Sequence, residues 1–489
     1  MEDEWTANAN EALRISLVRS SDSAIEKITS FGPKFTYPIF GEDERIFGYK
    51  NLKVNLQYDA RNLRPHLSVS SSKKFNTVGE VEAVNVRDVM KEVLPGVAFQ
   101  TRSEYEKALK DVPDTWTPPG TLVKTAEKGG ETYEIWRGSL ADPAVKQIIR
   151  RSQIMALLFI EGGSYIGLDV DDRDDPEYSL AKWSVFFVYR KQVVPGATEK
   201  LEYIFQGFST VYDFWMYQPP FPATARENKV PIQPKVDDSW ELPRGDFANF
   251  ARRARISQFL ILPPYQGKGV GALLYNTIFD LYTADAATKE ITVEDPNEEF
   301  DFLRDICDLK YLRKNVTEFA ALRVNCNVSI PNKGGLLRHN TQISSGSSAD
   351  AIVDMAKLEE MRLKSKIAPR QFWRLVEMHL MSTLPTSVRP QADAESMKPP
   401  APKADQKVYT LWRLLLKQRL YRRNVLILGE LEITERIIKL NETVNNVEWE
   451  YARIHERVEP KTAANLKRKL DGLAEKELPS SKKVRVSDA

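Results

Sequence analysis

The sequence predicts an α+β fold, and three observations carry that prediction. Between residues 183 and 262, runs rich in aromatic and β-branched side chains recur, as successive strands do. A strand–loop–helix–strand–helix order follows them, which suits a mixed sheet with flanking helices. From about residue 349 the chain turns to charged, helix-favouring segments, so a helical C-terminal part follows the mixed one.

The elements can be justified in order. Residues 10–145 read as a mixed α/β region with turn signals, in which Phe47-Gly48-Tyr49 leads into the alternating run Leu52-Lys53-Val54-Asn55-Leu56. Such alternation suits a half-buried strand. Residues 145–160 are apolar at helical spacing, with Ile148, Ile149, Ile154, Leu157 and Leu158 on or near one face. Strands are predicted over 183–189, 203–211 and 256–262. A helix over 270–283 places Leu273, Leu274, Ile278 and Leu281 three or four apart. A short strand at 290–293 and a helix over 298–311, with Phe302, Ile306 and Leu309 in a stripe, complete the series.

Further along, residues 351–364 and 369–381 read as helices. Residues 385–404, with Pro399-Pro400-Ala401-Pro402, read as an extended linker. Residues 407–457 read as helical packing structure broken near Gly429, and no internal repeat is visible. The expected organisation is an N-terminal α/β domain at 8–145, a catalytic domain at 146–315, a helical domain at 316–459 and a disordered basic tail at 460–489.

Bulk composition narrows the function. The 489 residues leave room for several domains, and a net charge of +2 argues against whole-chain attraction to nucleic acid. Cys307, Cys326, His66, His339, His379 and His455 are scattered, so no zinc-type ligand spacing occurs and no metal is expected. Met1-Glu2-Asp3-Glu4-Trp5 is acidic and precedes no apolar core, which predicts no signal peptide, and no apolar run approaches a membrane span. Low cysteine use points to a reducing compartment, nucleus or cytoplasm. In the tail, Lys467-Arg468-Lys469 and Lys482-Lys483-Val484-Arg485 fit a bipartite nuclear import signal as well as a plain solvated tail.

The most informative segment runs from Arg255 to Ala272, RISQFLILPPYQGKGVGA. A strand ends at Leu262, Pro263-Pro264 stop it, and Gln266 to Gly271 open a helix. Glycines allow close backbone approach, and a helix start offers free N–H groups and a positive dipole end, together a seat for a diphosphate. A Walker loop is absent. A dinucleotide loop remains open, because Gly267-x-Gly269-x-x-Ala272 fits its loose form, although Pro-Pro-Tyr-Gln separates strand and glycine. A simple tight turn is a third reading.

Gln266-x-x-Gly269-x-Gly271 also resembles the Q/R-x-x-G-x-G/A acyl-CoA loop of the GNAT superfamily. The longer context, RISQFLILPPYQGKGVGALL followed by ITVEDPNEEFDFLRD, closely resembles the catalytic subunit of type B histone acetyltransferases. FIEGGSYI and GEDERIFGYKNLKV are similar to the same family, so the likeness spans roughly residues 35–315. The resemblance implies a GNAT acyl-CoA N-acyltransferase fold, a mixed and mostly antiparallel sheet with flanking helices.

The resemblance further implies acetyl-CoA as cofactor, lying where two parallel strands splay. Backbone groups of Phe259, Leu260 and Ile261 would pair with the pantetheine arm. The N–H groups of Gln266, Gly267, Lys268, Gly269, Val270, Gly271 and Ala272 would hold the diphosphate, with Asn297 as a further polar contact. Loss of a proton from a lysine ammonium needs a carboxylate or a water relay. Glu294 matches the family's general base, and Asp295 and Glu161 match two further acids of the site. Strand alternation predicts that Glu294 and Asp295 face opposite ways, and the apolar run before Glu161 predicts a buried carboxylate. Strand-end acids are ordinarily just solvated. No cysteine lies near in sequence, which favours direct transfer in a ternary complex over an acyl-enzyme.

Acidic clusters at Glu42-Asp43-Glu44 and at 169–177 read either as solvated loops or as a negative groove for a Lys/Arg-rich peptide. By resemblance, Glu42, Asp43, Glu44, Tyr212, Asp213 and Phe214 would line a channel for the tail of newly made core histone four. A WD-repeat histone-binding chaperone would be the partner. A histone-binding scaffold without turnover and a dinucleotide-dependent oxidoreductase are the rival functions.

Overall fold

The structure is a computed structural model that describes residues 3–20, 25–167, 174–194, 201–216, 251–328, 351–392 and 400–458. The chain divides into two units, residues 1–296 and 297–489.

The first unit is built on two principal sheets. One has the order β3-β2-β6-β7, formed by β2 (Leu13–Ser20), β3 (Ile25–Phe31), β6 (Lys53–Asp59) and β7 (Pro65–Ser70). β2 and β6 are parallel and the other pairs antiparallel. Val54, Leu56 and Tyr58 are buried along β6, the face that its alternating sequence demands. Two short ribbons flank this sheet, β1 (Thr6–Asn8) with β4 (Arg45–Phe47) and β5 (Tyr49–Lys50) with β8 (Lys73–Lys74).

The larger sheet has six strands in the order β14-β13-β12-β11-β10-β9. They are β9 (Thr121–Lys128), β10 (Glu131–Ser139), β11 (Trp183–Val193), β12 (Leu201–Trp215), β13 (Arg252–Ile261) and β14 (Thr288–Val293). Only β13 and β14 pair in parallel, joined through the helix Val270–Ala284. Val185 to Tyr189 are buried without a break, because the middle of the sheet is covered on both faces. The two sheets meet where Phe205 N–H donates to the Ala60 carbonyl at 2.9 Å and the Tyr189 hydroxyl to that of Arg61 at 2.9 Å.

Two departures from the sequence reading have local causes. The helix expected over 145–160 is two helices, Pro143–Ser152 and Ile154–Phe159. The Ser152 hydroxyl bonds the carbonyls of Ile148 and Ile149, and the Gln153 side chain accepts from Ile166 N–H, so the break is held by side chains. The β9–β10 hairpin was not expected, although Gly129 and Gly130, at φ 60° and 78°, form the paired left-handed turn that such hairpins use.

The second unit is helical: Glu298–Asn315, Thr317–Ala320, Met355–Ser365, Pro369–Ser382, Lys403–Arg423, Val425–Gly429 and Ile433–Val458. The helix predicted from 351 starts at Met355 because the Asp354 side chain caps it. Buried Glu377 accepts Arg419 at 2.6 and 2.7 Å and the Tyr451 hydroxyl at 3.0 Å. Asp305 pairs with Arg374 at 2.8 Å and accepts from Gln371 at 3.0 Å, so the charges at this core are matched. Residues 393–399 of the Pro-rich stretch and the basic tail at 460–489 lie outside the described residues. Among the described residues no helix is long and apolar enough to cross a membrane, and no cluster of His, Cys, Asp and Glu could hold a metal ion.

Candidate active site

The β13–β14 ladder runs from Arg252↔Thr288 to Ile256↔Val293 and closes with Glu294 N–H on the Ile256 carbonyl at 2.9 Å. β14 stops there, while β13 continues to Ile261 with residues 258–261 in register with β12, Phe259 opposite Ser209, Leu260 opposite Phe208 and Ile261 opposite Gly207. The two parallel strands therefore fork. A bulge in β13 places Ser257 outside the β12 register. Beyond it, Gln258 N–H bonds Thr210 Oγ1 at 3.1 Å and Leu262 N–H bonds the Gln206 carbonyl at 2.9 Å, so 258 and 262 face β12. By alternation, Phe259 and Ile261 turn their main-chain groups toward the fork. On that side the Gln266 side-chain amide donates to the Ile261 carbonyl at 2.8 Å.

After β13, Pro263–Tyr265 make one 3-10 turn, residues 266–269 form a further turn, and the helix begins only at Val270. Gly267 and Gly269 hold φ of 74° and 77°, the left-handed region that glycine tolerates without strain. Gly269 is the N-cap, no side chain caps it, and no acid stands in the first helical turn. Gly271 and Ala272 lie in that turn beside buried Val270, and the Lys268 ammonium sits over the Tyr265 ring, 5.8 Å from its centroid. A Cβ built at 267 would meet no atom within 4 Å. Amides at a positive helix end, with no acid in the first helical turn, fit a phosphate group.

Glu294 stands at the crotch of the fork. Its carboxylate accepts the Ser257 hydroxyl on one oxygen and the Arg255 guanidinium, at 3.1 Å, on the other. A cleft of about 410 Å³ is lined by Phe214, Arg253, Arg255, Thr292, Val293, Glu294 and Asp295. Arg255 lies 4.5 Å from the Phe214 ring centroid, and Arg253 pairs with Glu290 at 3.0 Å, so the cleft is charge-balanced, not simply acidic. Glu294 and Asp295 line the same cleft. The alternation argument fails here because β14 has ended and Asp295 adopts a φ of 32°.

Glu161 is exposed, not buried: the apolar side chains before it enter the core and the chain leaves the core after Ile160. Its loop is nevertheless tied to β13, since Gln258 Nε2 donates to the Ser164 carbonyl at 2.7 Å. Gly162 N–H donates to the Tyr37 hydroxyl at 3.4 Å, which links the acidic turn at 42–44 to the same region. Glu42 and Asp43 are exposed. Glu44 is committed locally: the N–H groups of Thr36 and Tyr37, at 2.5 and 3.1 Å, and the Asn10 amide, at 2.6 Å, bond its carboxylate. These bonds, that of Thr36 foremost, hold it below the usual carboxylate range.

On β12, Phe214 reaches the cleft and Tyr212 packs edge-on against it at 4.6 Å. Asp213 faces the other way, 3.7 Å from Arg252, and burial pushes its carboxyl up to about 6 against the opposing pull of Arg252 and Arg137. Asn297 opens the second unit, where its side chain caps the Glu298–Asn315 helix by accepting Phe300 N–H at 2.9 Å. Of the second acidic cluster, residues 169–173 lie outside the described residues, and Asp174 is paired with Lys146 at 2.9 Å and with Arg150.

Residues 5–161 match the family profile described as "Histone acetyl transferase HAT1 N-terminus", and residues 337–385 match "Fungal HAT1, C-terminal". Over the whole length of both chains, the sequence is 47% identical to the histone acetyltransferase type B catalytic subunit of Gibberella zeae. It is 44% identical to that of Pyricularia oryzae, over 100% of this chain and 99% of the relative. The Neurospora crassa subunit is 39% identical, over 99% and 98%. The chain belongs to this family.

The fork and the Gly loop of this chain lie between the two profile matches and inside the full-length alignments. Sequence reasoning passed over Ser257, Arg255, Gln258 and Lys128. A bulge leaves no periodic signature, so nothing in the sequence announced Ser257. The Lys128 ammonium donates to the Gly269 carbonyl at 3.0 Å from a hairpin 141 positions away. The Gly129-Gly130 turn beside it was the one readable signal.

Proposed function

We propose that this chain transfers an acetyl group from acetyl-CoA to a lysine in the N-terminal tail of core histone four, with Glu294 as general base. Membership of the type B histone acetyltransferase family gives the reaction class, and the observation that carries the site is the fork of β13 and β14 with Glu294 at its crotch. The fold this reading implies is that of the GNAT acyltransferases, whose cofactor cleft is such a fork.

Bound in the fork, acetyl-CoA supplies an activated acetyl thioester. The edge of β13 at Phe259 and Ile261 would lie along an extended amide arm, as a strand edge does along an added strand. The turn from Gly267 to Ala272 presents its N–H groups to the diphosphate, while Gln266 N–H is held by the Pro263 carbonyl at 3.3 Å. Glu294 accepts a proton from the substrate ammonium; the free amine forms the new amide bond as the thioester C–S bond breaks, and coenzyme A leaves as the thiol with the second amine proton. Ser257 and Arg255 fix the two carboxylate oxygens, so the base is held before substrate arrives. Asp295, in the same cleft, and Glu161, on the loop tied to Gln258, supply further negative charge for a cationic peptide. Tyr212 and Phe214 give that peptide an aromatic wall. A WD-repeat histone chaperone as partner, and residence in nucleus and cytoplasm, belong to the same reading.

Acetyl transfer to histone-tail peptides by wild type and Glu294→Gln tests this. Turnover should fall by about a hundredfold or more, the scale of general-base catalysis, with CoA affinity by calorimetry kept. Unchanged turnover would remove Glu294 from the mechanism.

A further inference from the structure

We propose that Lys128, at the tip of the β9–β10 hairpin, is a cofactor-phosphate ligand that reaches over the Gly loop from the far edge strand of the sheet. This rests on the acetyl-CoA reading above and adds to it a residue outside the Gln266–Ala272 turn.

Three observations carry it. The Lys128 ammonium bonds the Gly269 carbonyl at 3.0 Å, and a Cβ built at 269 would lie 2.0 Å from that nitrogen, so lysine and loop are in contact. The Gly269 carbonyl already accepts Leu273 N–H at 3.2 Å as the first bond of the helix. The lysine thus takes only the second lone pair of a carbonyl that is already bonded. Second, the charge has the wrong sign for its place. A cation beside a helix N-terminus is unfavourable, and here the first turn offers no acid to offset it. Lys268 adds a second cation to the same turn.

Third, the nearby carboxylate makes its hydrogen bonds elsewhere and feels Lys268 only through its charge. Glu131, next to the hairpin turn, accepts Arg190 at 2.5 Å and the Tyr133 hydroxyl at 2.7 Å. Two lysines around bare amides, with the local acid occupied, form an anion seat whose charge an arriving phosphate completes. Lys128 is exposed and flexible enough to leave the Gly269 carbonyl for a phosphate oxygen while its strand stays in the sheet. The Gly129-Gly130 turn fixes the hairpin tip that delivers it.

The test is calorimetric binding of CoA, 3′-dephospho-CoA and pantetheine to the full chain, as wild type, Lys128→Ala, Lys128→Arg and the same-strand control Lys124→Ala. Lys128→Ala should weaken CoA by about tenfold, and Lys128→Arg should recover most of that. Pantetheine, which has no phosphate, should bind wild type and Lys128→Ala alike, and Lys124→Ala should match wild type throughout. If the tenfold loss persists with 3′-dephospho-CoA, Lys128 serves the diphosphate; if it disappears, Lys128 serves the 3′-phosphate. Equal CoA affinity in wild type and Lys128→Ala overturns the proposal, as does an equal loss for pantetheine, which would make Lys128 a structural prop. Wild type that binds pantetheine but gains nothing from phosphate would sink the diphosphate seat itself. Wild type that binds none of the three would sink the acetyl-CoA reading as a whole.

Discussion

Ser257 donates its hydroxyl to the Glu294 carboxylate across the β13–β14 pair, from the one position at which β13 slips out of register with β12. The bulge thus converts a strand residue into a support for the proposed base. Bulges re-aim side chains in this way next to active sites.

Ser257→Ala should therefore lower kcat by about tenfold, the worth of a hydrogen bond to a charged group, with little change in KM for the acetyl donor. Steady-state kinetics with both substrates varied separates the two. A rise in donor KM at constant kcat would place Ser257 in binding and not in positioning.

Gly267→Ala and Gly269→Ala both force a side chain into left-handed backbone, at a cost of about 1 kcal/mol each. Denaturant melts should find similar losses for the two. CoA titration should separate them, because only the methyl at 269 meets Lys128, whereas position 267 is open.

Asp213 makes the first unit's stability pH-dependent. Burial raises its carboxyl to about 6, so the folded chain holds a proton that the unfolded chain releases near the ordinary value of 3.8. Stability contributed by that proton is present in acid and lost as the pH rises through 6. Asp213→Asn should stabilise the unit at pH 8 by up to about 3 kcal/mol, and by little at pH 4. Urea melts at the two pH values measure the difference.

The second unit should respond in the opposite direction. Burial lowers His379 to about 3 and His455 to about 4, so both stay neutral in the fold. The unfolded chain takes up protons below about 6.5, and stability falls as the pH drops from there toward 4. His455→Gln should flatten that loss, read from melts of the full chain between pH 4.5 and 7.5.

Much of the fold was legible because its elements carry strong periodicity. The runs around Trp183, Tyr203 and Ile256 became β11, β12 and β13, and the stripe through Leu274 and Ile278 became the helix behind the Gly loop. β9 and β10 were missed, since β9 is an edge strand exposed almost throughout and has no apolar face to read. At the site, the Gly loop and Glu294 carry their chemistry in a short stretch of chain. Ser257, Arg255 and Lys128 depend on a bulge, on cross-strand pairing and on a distant hairpin, none of which leaves a local pattern. The expected burial of Glu161 was wrong because an apolar run shows what enters the core, not where the chain leaves it.

Under the acetyl-CoA reading, the fork has a cost for the chain before its donor is bound. Main-chain groups set out to greet an extended guest will also greet a stray strand from another molecule, the usual start of edge-to-edge aggregation. The Gln266 amide on the Ile261 carbonyl and the positive-φ bend at Asp295 act as guards at either end of that gap. Storage with saturating CoA should accordingly keep the protein monodisperse for longer than storage without it.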